Sequence, residues 1–484
     1  MNFVELENLF NKRRFNLLKH CGQHGPQQLA IIYRQEKITY ADWQKAVAKY
    51  ITFFSQKVIT SKAEVGIYLS NSPAYLYSLV ALWELGITAV LLPKKQGPSQ
   101  IEALKKGLAI TTIIDEKTIE EITSCWDELL PYDKQSRALN FSDLALIVLS
   151  SGTTATPKKI ELTFGNLCYS ALGSAIFYNL HPADCWATPL PFNHVGGILT
   201  PLRTFLAGAS LLIIPQNNAL VDSICLHRPS FISMVPTQLQ QLINHPNRST
   251  TETAIIDALF SCKAILIGGD ATPIPLVQKA LQLNLPISLS YGMSETSAQV
   301  TATLPGRANI EQGVVSCGKV LPFRKLEVDS NNRIYIHGET LARNSKRSQE
   351  GYFYSGDLGM INADGELFVF GREDDMFISG GENIYPQEIE DTILQITNQI
   401  SKAVVVPIDD ELFGQVGVCL IEACDFVDPK NIKEELATLL PNYKIPKYFF
   451  IHKLLANSDN SGELKISRQK LKILAQQLVK NNLC

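Results

Sequence analysis

What this 484-residue chain lacks narrows its function before any motif is read. Charge of one sign is not in excess: 44 Lys and Arg stand against 47 Asp and Glu, a formal net charge of −3. Non-specific nucleic-acid binding draws on clustered surplus Lys and Arg, so neither nucleic acid nor an anionic membrane is an expected partner. No apolar run approaches the ~18 residues that a membrane-crossing helix needs. Residues 1–14 mix charges with short apolar stretches and lack a signal-peptide core. The ten cysteines are scattered without one Cys-x-x-Cys pair, which excludes the usual zinc spacings and a small secreted disulfide framework. Internal repeats and low-complexity tracts are lacking too. A cytoplasmic location with free thiols is expected.

What is there is a core. Hydrophobic residues make up 45% of the chain, and a chain of this length buries a large apolar interior without metal or disulfide support. Short apolar runs alternate with longer helical patterns, the signature of parallel sheets crossed by helices. Strands are expected at 144–149, 211–214, 231–235, 264–267 and 287–291, with helices over 164–178, 237–244 and 274–283. After residue 313 the texture changes, and 333–337 and 366–370 read as hairpin strands. Past the charge cluster 371–375 a compact unit follows: helix 386–396, strands 403–406 and 416–422, helix 431–440, strand 448–451 and a final basic helix. The expected fold class is α/β, with a large N-terminal body of parallel sheets (1–373) joined by a hinge to a small α+β domain (374–484).

Four segments carry chemistry. The run from Ser150 to Lys159 follows a strongly apolar strand and crowds Ser150, Ser151, Thr153 and Thr154 around Gly152. Small hydroxyl residues let backbone N–H groups turn toward a phosphate while the hydroxyls donate further bonds, and Lys158 is placed to reach the same anion. The spacing is not that of a nucleotide-hydrolysing P-loop, and an ordinary polar surface loop reads the same way. In Ser290-Tyr-Gly-Met-Ser-Glu-Thr296, Tyr291 offers a flat face for a base and Gly292 allows close backbone approach. Ser294 supplies a hydroxyl, and Glu295 is a hard oxygen donor of the kind Mg²⁺ accepts. A capped helix start explains the same residues. In Gly351-Tyr-Phe-Tyr-Ser-Gly-Asp357, the Asp357 carboxylate suits a pair of ribose hydroxyls, or else a turn. The stretch 370–390 holds Arg372 and Asp374 in what is otherwise an interdomain linker.

Together, and in this order, these segments resemble the phosphate loop, the Tyr-Gly-x-Thr-Glu segment, the Gly-Tyr-x-x-Thr-Gly-Asp segment and the domain junction of the adenylate-forming, AMP-binding superfamily, which includes acyl-CoA synthetases and luciferases. Near the C-terminus, Ser461-Gly-Glu-Leu-Lys-Ile-Ser-Arg468 is similar to the family's Gly-Lys-Ile-x-Arg segment, with Lys465 on the catalytic lysine. The chain departs from the family pattern at Ala155 and Lys159, which replace loop glycines, and at Gly462, which stands three residues before the lysine. The resemblance implies ATP, Mg²⁺ and coenzyme A. It implies Tyr291 against adenine, Asp357 on the ribose, Arg372 on ribose or phosphate oxygens, Glu295 on the metal, Asp374 as hinge and Lys465 bridging carboxylate and α-phosphate.

Other stretches resemble the o-succinylbenzoate–CoA ligase branch of that family, acting in menaquinone biosynthesis, more than its fatty-acyl branch. They are Ser233–Leu239, Ile378–Glu382 and Leu464–Gln469. The resemblance sets His194, in Pro191-Phe-Asn-His194, and the pair Gly268 and Gly269 around the acid. Asn193 stands where many relatives carry an aromatic residue. Arg203, in an otherwise apolar helical stretch, must either snorkel to solvent or meet an anion, and an acid with two carboxylates offers one. The implied activity is an AMP-forming ligase: a small-molecule carboxylic acid is adenylated by ATP, then passed to coenzyme A. A ligase for another aryl or medium-chain acid, a non-catalytic nucleotide or acyl binder, and a phosphotransferase releasing ADP remain alternatives. The oligomeric state is left open, a homodimer included.

Overall fold

The computed structural model describes residues 10–57, 64–94, 98–130, 132, 137–150, 157–215, 220–243, 250–311, 313–397, 399–423, 427–452 and 468–483. Ser151, Gly152, Thr153, Thr154 and Lys465, together with Ala155 and Gly462, lie outside the described residues.

The apolar runs became the strands of two parallel-dominated sheets. In the nine-stranded sheet, Ile287–Met293, Ala264–Ile267, Phe231–Met234, Cys185–Thr188, Ser210–Ile213 and Leu29–Tyr33 run parallel. Antiparallel strands extend it at both sides, Ala298–Ala302 and Lys319–Val320 on one and Glu36–Thr39 on the other. The five-stranded sheet has the order Thr112–Ile114, Glu64–Ile67, Thr88–Leu91, Leu144–Ser150, Lys158–Thr163, parallel except for the last pair.

Between these sheets lie the helices Tyr40–Gln56, Pro73–Glu84, Phe164–Phe177 and Val195–Ala207. Their side chains merge with Val65, Ile67, Leu146 and Val148 of one sheet and with Ile31, Leu211 and Ile213 of the other into a single apolar cluster. Side chains alternate across a strand, so Ile147 faces the opposite side of its sheet, with Val90 and Ile101. A helix wedged between two sheets is buried nearly all round, and Val195–Ala207 shows this: of its residues only Gly196 is not buried.

A four-stranded antiparallel sheet follows, in the order Arg324–Val328, Arg333–Gly338, Phe353–Ile361, Leu367–Arg372. The two expected hairpin strands are both present but are not partners. Phe353–Ile361, which runs through the Gly-Tyr-x-x-Ser-Gly-Asp segment, inserts between them and pairs with each.

The C-terminal unit is built on strands Ile400–Asp410 and Gly414–Ala423. Ala403 and Val405 face the helices Pro386–Ile396 and Pro429–Leu439. Val404, Val406 and Ile408 face Leu471, Ala475 and Val479 of the last helix, Arg468–Leu483. Every expected element of this unit is present. No described helix is long and apolar enough to cross a membrane, and the described cysteines are free.

Candidate active site

Ligands of open α/β sheets bind beyond the carboxyl ends of the parallel strands, and the motif residues fall there. Ser150 closes the strand Leu144–Ser150 and pairs in register with Lys158, the first residue of the return strand. Lys158 is therefore on a strand, and that strand intervenes before the helix Phe164–Phe177. Its neighbour Lys159 carries no left-handed backbone, so replacing the family's glycine there brings no strain. The Lys159 ammonium bonds Glu64 at 2.8 Å and the Leu108 carbonyl at 3.1 Å.

The second motif is set by a close approach. Ile287–Met293 and Ala298–Ala302 pair antiparallel with a register shift between Tyr291 and Gly292. A β-carbon at Gly292 would overlap the Ala298 carbonyl oxygen. Ser294–Thr296 is a 3₁₀ turn, not the helix start its residues also suggested, and Ser297 and Ala298 follow at φ 52° and 73°. Two consecutive left-handed residues with β-carbons cost about 1–2 kcal/mol each. Surrounding bonds hold them: Ser170 Oγ donates to the Ser297 carbonyl at 2.5 Å, and Ser297 Oγ to the Thr340 carbonyl at 2.8 Å. This fold-back aims Glu295 at the end of the paired strands Leu144–Ser150 and Lys158–Thr163, where its Oε1 lies 2.9 Å from Lys158 Nζ.

A polar chain adjoins it. Tyr291 Oη donates to Asp357 Oδ2 at 2.6 Å. Arg372, opposite Asp357 in the sheet register, donates through Nη1 to Asp357 Oδ1 at 3.3 Å and through Nε to Asp374 Oδ1 at 2.9 Å. Burial, then the Asp357 carboxylate, pushes the Tyr291 phenol well above its ordinary pKa, so it stays a donor. Burial works against the Arg372 charge, but the Asp374 and Asp357 carboxylates outweigh it and raise its pKa. Asp374 is exposed, just past the strand Leu367–Arg372.

Of the residues expected around the acid, Gly268 and Gly269 lie at the carboxyl end of the strand Ala264–Ile267. Gly268 follows the strand Ala264–Ile267, lies next to Ser290 and donates its N–H to the Met234 carbonyl at 3.2 Å. Gly269 follows it, beside Val235. His194 caps the helix Val195–Ala207 with its backbone, while its ring makes no cap hydrogen bond. The ring is exposed, yet enough protein surrounds it for desolvation to lower its pKa. Among the described residues no hydrogen bond or ion pair joins His194 to the nucleotide-side groups.

Arg203 does not snorkel. It is 2% exposed, with its guanidinium carbon 4.5 Å from the centre of the Trp186 ring, a favourable cation–π position. Among the described residues its Nε and Nη1 have no hydrogen-bond partner, and burial lowers its pKa to about 10, still charged at neutral pH.

Some features of the region gave no signal in the sequence. Trp186 under Arg203 is one. Ser355 is another: its Oγ receives the Asp357 N–H at 3.0 Å and so holds that residue's backbone. A third is a clamp in which Arg468 bonds both Glu390 oxygens, at 2.6 and 2.9 Å, and reaches Asp375 Oδ2 at 3.1 Å. The first and third depend on tertiary contacts between separate segments, whereas the second is local to the strand Phe353–Ile361.

A family model described as AMP-binding enzyme matches residues 18–344. The chain belongs to this family of adenylate-forming enzymes. It is 29% identical to a 2-succinylbenzoate–CoA ligase of Bacillus pumilus, over 94% of this chain and 97% of the relative. To the ligase of the same name from Bacillus subtilis strain 168 it is 28% identical, again over 94% and 97%. Among solved structures it is similar to o-succinylbenzoate CoA synthetase of Bacillus subtilis. In complex with its acyl-adenylate intermediate that enzyme superposes with a TM-score of 0.80 at 26% identity, over 93% of this chain and 98% of the other. In complex with ATP and magnesium the TM-score is 0.81 at 26% identity, over 94% and 99%.

Proposed function

We propose that this chain is an AMP-forming o-succinylbenzoate–CoA ligase. One carboxylate oxygen of the acid attacks the α-phosphorus of ATP, the bond to the β-phosphate oxygen breaks, and pyrophosphate leaves. The thiolate of coenzyme A then attacks the acyl carbon, the bond to the AMP oxygen breaks, and AMP leaves. Both the motif residues of the nucleotide side and the likeness to ligases of that name support this reading. The observation that carries the choice of acid is Arg203: a buried guanidinium with two open donors suits the carboxylate that does not react.

On the nucleotide side, adenine lies against Tyr291 and the ribose hydroxyls bond Asp357, with Arg372 beside it. The phosphates lie by the paired residues Ser150 and Lys158. The Lys158–Glu295 pair is a partly exposed contact worth about 0–1 kcal/mol, so a phosphate easily draws the lysine away and leaves the carboxylate for a cation. One carboxylate together with phosphate oxygens is a donor set that Mg²⁺ accepts; bound there, the ion neutralises phosphate charge. Lys465 bridges the reacting carboxylate and the α-phosphate. The small domain turns about Asp374 between the half-reactions, withdrawing Lys465 and bringing the Gly380-Gly381 segment to the thiol path. A cytoplasmic setting, where ATP and coenzyme A are at hand, fits free cysteines.

The test is an acid screen with purified protein, ATP, Mg²⁺ and coenzyme A, reading AMP and thioester together. Turnover of o-succinylbenzoate well above that of other aryl and medium-chain acids is expected. Absence of thioester from o-succinylbenzoate with turnover of another acid would replace the assignment, and ADP as product would overturn the chemistry.

A further inference from the structure

The buried Arg203 guanidinium is held by a ring and not by an acceptor. Its carbon lies 4.5 Å from the centre of the Trp186 ring, while among the described residues its Nε and Nη1 bond nothing. A carbonyl or carboxylate in that place would occupy N–H donors as it held the cation. An aromatic face attracts the cation and leaves every donor free.

Trp186 is itself fixed from several directions. Its strand, Cys185–Thr188, runs parallel to Phe231–Met234, and Trp186 stands opposite Phe231 in register. The two rings stack with centres 4.7 Å apart and planes 18° from parallel. Tyr178 meets the indole edge to face at 5.4 Å. The indole Nε1 donates to Ser233 Oγ at 2.8 Å. Trp186, Phe231 and Ser233 are each at most 1% exposed, so the ring is confined to one place and the guanidinium beside it with it. Ser233 also opens the segment Ser233–Leu239, which the nucleotide chemistry leaves unexplained. The next residue, Met234, receives the Gly268 N–H at 3.2 Å. A chain of contacts thus runs from Gly268, expected beside the acid, through Met234, Ser233 and Trp186 to Arg203.

We infer that Trp186 is a positioning residue for acid recognition: its indole face holds the Arg203 guanidinium in place while leaving N–H donors free for a carboxylate of the substrate. This rests on the reading of Arg203 as the partner of the carboxylate that does not react. Ser233 locks the indole through Nε1. Charge-assisted bonds to a carboxylate need donors at a fixed place, so a guanidinium free to swing binds it less well. The loss falls on an acid that has a second carboxylate and spares one that has none.

The experiment measures calorimetric dissociation constants of o-succinylbenzoate and of 3-benzoylpropionate, the same skeleton without the ring carboxylate, with turnover of o-succinylbenzoate followed in parallel. Wild type, Trp186→Leu, Trp186→Phe and Arg203→Met are compared, together with each Trp186 substitution in the Arg203→Met background. A cation–π contact away from water corresponds to about tenfold in an equilibrium constant, so Trp186→Leu is expected to lower the preference for the dianion about tenfold. Trp186→Phe keeps an aromatic face but loses the bond to Ser233. It should lower the preference about threefold and carries the test where the leucine variant does not fold. In the Arg203→Met background the second substitution should leave the preference where Arg203→Met alone puts it. An unchanged preference in whichever Trp186 variant folds, an equal loss for both acids, or a further fall without Arg203 overturns the role of Trp186 and leaves the ligase intact. A preference that Arg203→Met does not alter overturns the reading of Arg203 and the role of Trp186 with it. If the preference falls as expected in the variants but wild type does not turn o-succinylbenzoate over, the ligase assignment fails and the positioning role stands. No binding of o-succinylbenzoate by wild type overturns both.

Discussion

The two ends of this site treat charge in opposite ways. On the nucleotide side each named charge has a partner within the chain: Lys158 with Glu295, Asp357 with Tyr291 and Arg372, Arg372 with Asp374. On the proposed acid side Arg203 is buried, and among the described residues it forms no ion pair with a carboxylate. The Lys158–Glu295 and Arg372–Asp374 pairs are at least partly exposed, and such pairs are weak and exchange readily, so these charges are compensated within the chain yet ready to trade partners. A buried unpaired charge cannot relax in that way. On the proposed reading Arg203 therefore holds free energy that a ligand of opposite charge releases, which would make the acid side the more selective of the two.

Four substitutions test this contrast, in order of expected effect. Lys465→Ala is expected to slow acyl-adenylate formation by about 10³-fold, the scale of losing one charged group at the reacting phosphate. It should leave coenzyme A able to consume adenylate supplied ready-made. Single-turnover assays of each half-reaction check this, and equal loss of both would end the moving-domain account. Glu295→Gln, nearly isosteric but uncharged, should lower adenylation about a hundredfold with the circular-dichroism spectrum unchanged. An unaltered rate at unaltered Mg²⁺ dependence would remove its metal role.

Arg203→Met should do two things at once. The Michaelis constant for o-succinylbenzoate is expected to rise about thirtyfold, as for a lost charge-assisted hydrogen bond. The melting temperature of the ligand-free protein should rise by a few degrees, because an apolar side chain of similar volume replaces a buried charge without a counter-ion. A drop in melting temperature would show that the arginine stabilises the fold and would erase the contrast. Tyr291→Phe, which removes one 2.6 Å hydrogen bond on the self-compensated side, should raise the Michaelis constant for ATP only about fivefold. A hundredfold rise would place the two ends on the same footing.

Much of this architecture was legible beforehand, for physical reasons. Strands buried on both faces read as unbroken apolar runs, and Phe231–Met234, wholly buried, is a clear case. The nucleotide motifs were legible because phosphate, ribose and metal each demand particular side chains close together in the chain. Pairing was less so. A period of two finds strands but does not say which lie side by side, and Phe353–Ile361, interrupted by Gly356 and Gly359, went unrecognised between two correctly placed neighbours. The fate of Arg203 could not be read from its helix, since a helix between two sheets has no solvent face to snorkel toward.

The fold-back at Gly292 has a genetic consequence. Glycine codons differ from those of alanine, valine, serine, cysteine, arginine, tryptophan, aspartate and glutamate by one base, and every one of these side chains carries a β-carbon. At Gly292 that atom would overlap the Ala298 carbonyl oxygen, a backbone atom that cannot swing aside. Each missense step open to a single mutation thus meets the same obstacle, whatever the polarity or size of the new side chain. In a library of random point mutants selected for activity, this codon should tolerate little beyond silent change at its third base.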